Sequence, residues 1–190
     1  METVLVEKKN INEVVELLKQ DEVVAFPTET VFGLGVKFGN LSALEKIYEI
    51  KHRSHSKAVS LMIYDSQDIE KYAYVNTNAQ KLIDEFMPGM ITLVLKKKSI
   101  LSDDFTAGLE TIGIRIPDDP FVLELLKRVG PMLVTSANIS GQETLLNDLC
   151  FVRPVIRKRQ CMPLLLQWLS IRFSILCLFT ASAGAFKEQP

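Results

Sequence analysis

Cysteine, histidine and any excess of one charge are scarce in this 190-residue chain, and each scarcity closes a class of function. Three cysteines (Cys150, Cys161, Cys177) and two histidines (His52, His55) are the whole supply. No cysteine pair has C-x-x-C spacing, and the histidines lie far from all three in sequence. Neither a zinc site nor a disulfide framework is expected, and a reducing, cytoplasmic setting is the default. Both histidines fall inside one basic segment, so no Ser–His–acid arrangement is evident. Lys and Arg number 22 against 23 Asp and Glu, a formal net charge of −1. Any nucleic-acid footprint must then be local. The opening "METVLVEKKN" carries acids and no long apolar stretch, so it does not read as a secretory signal.

Acids are also missing locally. From Leu149 to Phe186 there is no Asp or Glu, while that stretch holds Arg153, Arg157, Lys158, Arg159, Arg172, all three cysteines and the sole tryptophan, Trp168. This break divides the chain into an α/β domain over residues 1–148 and an atypical apolar and basic tail over 149–190. The length suits one domain with a sizeable core. Residues 162–186 are long enough to span a bilayer. Arg172 near their middle would cost about 2.5–3.5 kcal/mol on insertion scales. Pro163 and Gln167 weaken the run further, and no membrane association is expected.

Within the domain, hydrophobic periodicity places the elements. Ile11, Val14, Val15, Leu17 and Leu18 mark a helix over 11–20, and 22–27 reads as a strand. Leu41, Leu44, Ile47 and Tyr48 mark a helix leading to Lys51. "AVSLMIY" (58–64) is a strand. Ala79, Leu82, Ile83 and Phe86 form a helical stripe stopped by Pro88-Gly89. "MITLVLK" (90–96) and "TIGIRIP" (111–117) are strands. Asp119-Pro120 has the form of an N-cap and first residue for a helix over 120–129. "PMLVTSAN" (131–138) is a strand running into a polar loop. Strands and helices without strict alternation imply a mixed sheet covered by helices.

Four polar clusters sit at strand ends or in loops. In "FPTETVFGLG" (26–35), Thr28 and Thr30 flank Glu29 just past a strand, where α/β sheets commonly bind ligands. The other reading is that Thr28 or Thr30 caps a turn near Val31. The G-x-G of Gly33 and Gly35 is too short for a dinucleotide fingerprint and fits close backbone packing. In "IKHRSHSK" (50–57), Lys51 and Arg53 would share one face of an extended segment and suit a polyphosphate. Alternatively they complement the dipole of the preceding helix. Arg115 shares a strand face with Gly113, Pro117 and, four residues earlier, Thr111. It is either a solvated arginine or an anion clamp. In "TSANISG" (135–141), Ser136 and Asn138 suit phosphate or sugar contacts, or plain turn chemistry. Together the clusters outline a pocket with hydroxyls and cations but no evident nucleophile or base. That pattern fits positioning and charge neutralisation of a nucleoside triphosphate.

Five blocks, "AFPTETVFGLG", Lys51-His52-Arg53, "PGMITLVL", "AGLETIGIRIP" and "TSANISG", closely resemble the YrdC family of threonylcarbamoyl-AMP synthases, in that family's order, over roughly residues 10–148. The resemblance implies a YrdC-like α/β fold: a twisted mixed sheet with flanking helices and a basic concave cleft. It implies condensation of L-threonine, bicarbonate and ATP into threonylcarbamoyl-adenylate, with release of pyrophosphate. Magnesium would accompany the ATP. A transferase complex would pass the product to tRNA, and tRNA or double-stranded RNA is a further expected partner. Thr28 and Arg115 would bind threonine, and Lys51, Arg53, Thr111, Ser136, Asn138 and Thr144 would bind ATP. The resemblance assigns no catalytic side chain and no protein ligand for a metal.

After Thr144 the resemblance stops. The family's later Ser-Thr-Ile and Arg-x-Gly motifs are absent, and the acid-free tail stands in their place, in the manner of an out-of-frame translation or an alternative terminus. Loss of those strands would expose a sheet edge, which the apolar tail could patch. Two enzyme-free alternatives follow. One is a catalytically impaired RNA-binding module on the same scaffold, and the other is a tail-anchored membrane protein. A carbamoyl-transfer domain of hydrogenase maturation would lie in a much longer chain with acylphosphatase and zinc-finger-like parts.

Overall fold

The computed structural model describes residues 4–141 and 175–179, which form one mixed sheet flanked by helices. The strands are β1 (Val4–Glu7), β2 (Val23–Phe26), β3 (Gly33–Lys37), β4 (Ser60–Met62), β5 (Leu93–Lys96), β6 (Thr111–Arg115), β7 (Met132–Ser136) and β8 (Ile175–Phe179). The helices are α1 (Ile11–Lys19), α2 (Leu41–Lys51), α3 (Ile69–Tyr72), α4 (Thr77–Phe86) and α5 (Pro120–Val129). The sheet order is β1-β8-β2-β3-β7-β4-β6-β5. β8 is parallel to both neighbours and β4 is parallel to β6, while β2–β3, β3–β7, β4–β7 and β5–β6 are antiparallel.

Local chemistry sets the helix starts. The Asn40 side chain accepts from Ser42 N ahead of α2, and Asn76 accepts from Ala79 N ahead of α4. Asp119 accepts from Phe121 N and Val122 N, and Pro120 supplies the first helical residue of α5. Each cap satisfies backbone donors that the helix itself leaves open. Strand alternation then divides the core in two. Leu34, Val36, Leu61, Ile112, Ile114 and Leu133 pack with Leu44, Ile47 and Ile83 of α2 and α4. Val24, Phe26, Met62, Met132 and Val134 pack on the opposite face with Val14, Leu18, Leu125 and Leu126 of α1 and α5.

The strand β3 is an addition to what periodicity indicates, because "GLGVK" lacks an alternating apolar pattern on one of its faces. Gly33 pairs with Phe26, and the Phe26 ring lies across β3. A Cβ on Gly35 would stand 2.9 Å from Phe26 Cε1, 3.1 Å from Met132 Cε and 3.1 Å from Val134 Cγ2. The glycines thus let an aromatic ring close over the strand, the packing role expected of this G-x-G. The tail segment β8 lies inside the sheet, between β1 and β2, with Leu176 opposite both Val4 and Val24. The proposed boundary at 148 and the rest of the tail fall outside the described residues. Among the described residues, no helix is long and apolar enough to cross a membrane. At the opposite edge, Tyr74 N donates to Lys96 O and Lys98 N to Tyr72 O, which covers one end of β5.

The Gly35→Ala variant should lower stability by about 1–3 kcal/mol, the usual cost of overpacking a filled core. Urea unfolding followed by circular dichroism measures it. An unchanged midpoint would show that the ring moves aside freely and that close approach does not require glycine there.

Candidate active site

Among the described residues, α1 and α5 cover only part of their sheet face, and the rest of that face forms the floor of a cleft. Its volume is about 180 Å³, and it is open to solvent. That is below the roughly 300–1,000 Å³ usual for small-molecule sites, as suits a shallow open cleft. Four of the polar clusters contribute to it. Thr28 and Thr30 come from the β2–β3 turn, Arg53 from the segment after α2, Arg115 from the end of β6, and Thr135 and Ser136 from the end of β7. Ser60, Met62 and Thr92 complete the polar and apolar floor. No histidine, cysteine, lysine or carboxylate is among the described residues that line it.

The turn after β2 is organised by Thr28 rather than Thr30. The Thr28 hydroxyl donates to Val31 O at 2.7 Å and accepts from Thr30 N at 3.2 Å and Val31 N at 3.3 Å. Its Oγ1 also lies 3.0 Å from Thr30 Oγ1. A side chain that folds its own turn is held in one rotamer, which fixes the hydroxyl pair at the cleft. Arg115 reaches the same group. Its Nη2 donates to Thr30 Oγ1 at 3.2 Å and to Glu29 Oε1 at 2.6 Å. Glu29 Oε1 also accepts from Asp118 N at 3.1 Å. The Arg115 and Glu29 side chains are only 14% and 13% exposed, so the pair is screened from water. Sequence patterning marked Glu29 only as a neighbour of two threonines. Its signal was a buried-strand arginine that needed an anion.

Lys51 and Arg53 do not share the face of an extended segment. α2 continues through Lys51, and His52 takes a left-handed conformation (φ 49°) that turns the chain. The two side chains diverge in consequence. Arg53 lines the cleft, with Nε donating to Lys57 O at 3.0 Å and Nη2 to Ala58 O at 2.7 Å. Lys51 is 1% exposed and lies behind the cleft wall. Its ammonium donates to Ser136 O and Asn138 O, with Asn138 Oδ1 at 3.4 Å. In return, Ser140 N donates to Lys51 O at 3.0 Å. Ser136 Oγ donates to Asn138 Oδ1 at 2.6 Å, so Asn138 braces the serine that faces the cleft. Thr111 stands on the Arg115 face but does not line the cleft. Thr144 lies outside the described residues.

Burial, and secondarily the positive charge of Arg53, push the Lys51 ammonium down to about 8 from an ordinary 10.5. Its immediate partners are neutral carbonyls, which hold the proton less firmly than a carboxylate would.

Residues 16–152 match the Sua5/yciO/yrdC family model, described as "Telomere recombination". A threonylcarbamoyl-AMP synthase of Bacillus subtilis is 44% identical over 129 residues, covering 66% of this chain and 37% of the relative. One from Vibrio vulnificus is 38% identical over 137 residues, covering 70% and 74%. The crystal structure of P. abyssi Sua5 complexed with L-threonine superposes with a TM-score of 0.69 at 32% identity, over 75% of this chain and 43% of that one. The matched region spans 37% to 63% of the length of three curated relatives. The chain belongs to the Sua5/yciO/yrdC family.

The Lys51 shift predicts a pH dependence of stability. With the folded value depressed, the unfolded chain binds more protons between pH 8 and 10.5, and stability rises with pH across that window. Wild type measured against Lys51→Met should gain at most about 1.4 kcal/mol per pH unit there, and nothing below it. Urea unfolding of both proteins at pH 7, 8, 9 and 10 reads the difference. A level difference would show that burial leaves this ammonium unperturbed.

Proposed function

We propose that the chain makes threonylcarbamoyl-AMP from L-threonine, bicarbonate and ATP, releasing pyrophosphate. One observation carries this reading: a single cleft joins a fixed hydroxyl pair and Arg115 with Arg53 and the braced Ser136. Arg115 suits the threonine carboxylate, and Thr28 a polar contact to the same substrate. Arg53 suits the phosphates, with the Ser136–Asn138 loop beside the nucleotide. The threonine bound to P. abyssi Sua5 supports the amino-acid half of the assignment.

The chemistry asks little of side chains as acids, bases or nucleophiles. The threonine amine attacks bicarbonate carbon, forming a carbamate and releasing water. A carbamate oxygen then attacks the α-phosphorus of ATP. The bond from the α-phosphorus to the bridging oxygen breaks, and pyrophosphate leaves. The carbamate and the triphosphate it attacks are both anions, so the protein's task is to hold them together against mutual repulsion. A cleft lined by arginines and hydroxyls, with no carboxylate among the described residues of its wall, does that. Magnesium would enter with ATP as part of the substrate. The described residues group no three His, Cys, Asp or Glu side chains that would hold it alone. The adenylate would pass to a transferase complex that modifies tRNA in the cytoplasm.

The test is pyrophosphate release that requires both threonine and bicarbonate. Arg53→Ala should raise the ATP KM at least tenfold and leave threonine affinity within about twofold, since removing one charge-assisted contact costs roughly 1.5–3 kcal/mol. Arg115→Ala should show the reverse split. No threonine-dependent release by wild type, with salt-sensitive RNA binding retained, would replace the enzyme with a binding module.

A further inference from the structure

The two cleft arginines are compensated differently. Among the described residues, Arg53 donates only to the neutral carbonyls of Lys57 and Ala58, so none of them offsets its positive charge with an ion pair. Arg115 is bound by the Glu29 carboxylate, which stands off the cleft wall and is itself fixed by Asp118 N. The pair is not closed: Glu29 Oε2 and Arg115 Nε are both buried without a hydrogen-bond partner among the described residues. One carboxylate therefore neutralises Arg115 and leaves part of its donor edge unused. No other ion pair among the described residues involves a residue on the cleft wall.

We propose that Glu29 is a specificity-determining residue that sorts two kinds of anion between the two arginines. The substrates named rest on the function proposed above. One presents a carboxylate and the other a polyphosphate, and two bare guanidiniums in one cleft would each attract the polyphosphate, the more highly charged of the two groups. With Glu29 beside it, Arg115 has no net charge to offer a polyphosphate, and an added polyanion meets repulsion from the carboxylate. It still offers directed donors, which suffice for a single carboxylate. Polyphosphate is left to Arg53, and the amino acid keeps a seat of its own. Glu29 acts through Arg115, so it is a positioning and charge-setting residue.

Inorganic pyrophosphate is the probe, titrated calorimetrically into wild type, Glu29→Gln and Glu29→Asp. The isosteric Glu29→Gln keeps an acceptor for Arg115 and removes the charge. It should bind pyrophosphate at least fivefold more tightly at about 50 mM salt, and the gain should shrink at about 300 mM as screening shortens. Glu29→Asp should bind like wild type. The gain should disappear in the double variant Glu29→Gln/Arg115→Gln. In wild type, L-threonine affinity should be unchanged at saturating pyrophosphate, whereas in Glu29→Gln pyrophosphate should displace threonine. Equal pyrophosphate affinity in wild type and Glu29→Gln overturns the proposal. Should Glu29→Gln not fold, displacement of threonine by pyrophosphate from wild type overturns it equally. A wild type that binds no threonine defeats the functional reading, while the pyrophosphate comparison still decides the role of Glu29.

Discussion

The buried ammonium of Lys51 is the contact on which the site depends. α2 and the β7 exit loop are separated by more than eighty residues, and little else ties them at this point. Lys51 binds the Ser136 and Asn138 carbonyls, and Ser140 N returns a bond to the Lys51 carbonyl. A buried cation would normally be neutralised by an acid. Here the partners are backbone dipoles, so the loop is gripped without importing a negative charge beside a cleft built for anions. The cost is the depressed proton affinity of the lysine.

The same economy recurs around the cleft. Arg53 is fixed by carbonyls, the Thr28 hydroxyl by its own turn, and Ser136 by the Asn138 amide oxygen. Each group is immobilised by neutral partners and arrives with its donors aimed before any ligand does. Among the described cleft residues Arg115 alone takes a carboxylate partner, and that exception falls at the residue whose donors best fit a carboxylate. Preorganisation by dipoles keeps the field of a cation, whereas pairing with an acid trades field for direction.

Much of the fold was legible because it rests on local rules. α5 was expected over 120–129 and runs from Pro120 to Val129, since Asp119 and Pro120 mark its start within one turn. The strand cores of β2, β6 and β7 followed from apolar periodicity. β3 escaped notice because glycines replace the apolar residues that would have revealed it, for a reason that lies in Phe26 and Val134. Of the two readings of Lys51 and Arg53, the shared extended face fails because one left-handed residue, His52, redirects the chain, while Lys51 does stand in the last turn of α2 as the helix-end reading has it. A non-glycine residue in that conformation is supported by its surroundings and leaves no mark in sequence spacing. The family resemblance named Lys51 without distinguishing a ligand contact from a brace behind the wall.

Long-range pairing is where sequence falls short in kind. Glu29 and Arg115 are 86 positions apart, and each alone has an ordinary explanation: an acid in a turn, an arginine on an open strand face. Only the register that sets β4 beside β6 and β7, with β3 on the far side of β7, brings the β2–β3 turn to the end of β6. Shifting β6 by one residue against β4 would turn Arg115 to the face packed by α2 and α4 and strand its charge in the core. The apolar alternation of Ile112, Ile114 and Ile116 therefore also aims the arginine between them. The hydrophobic pattern that specifies the sheet and the polar geometry that specifies the cleft are one constraint, read from opposite faces.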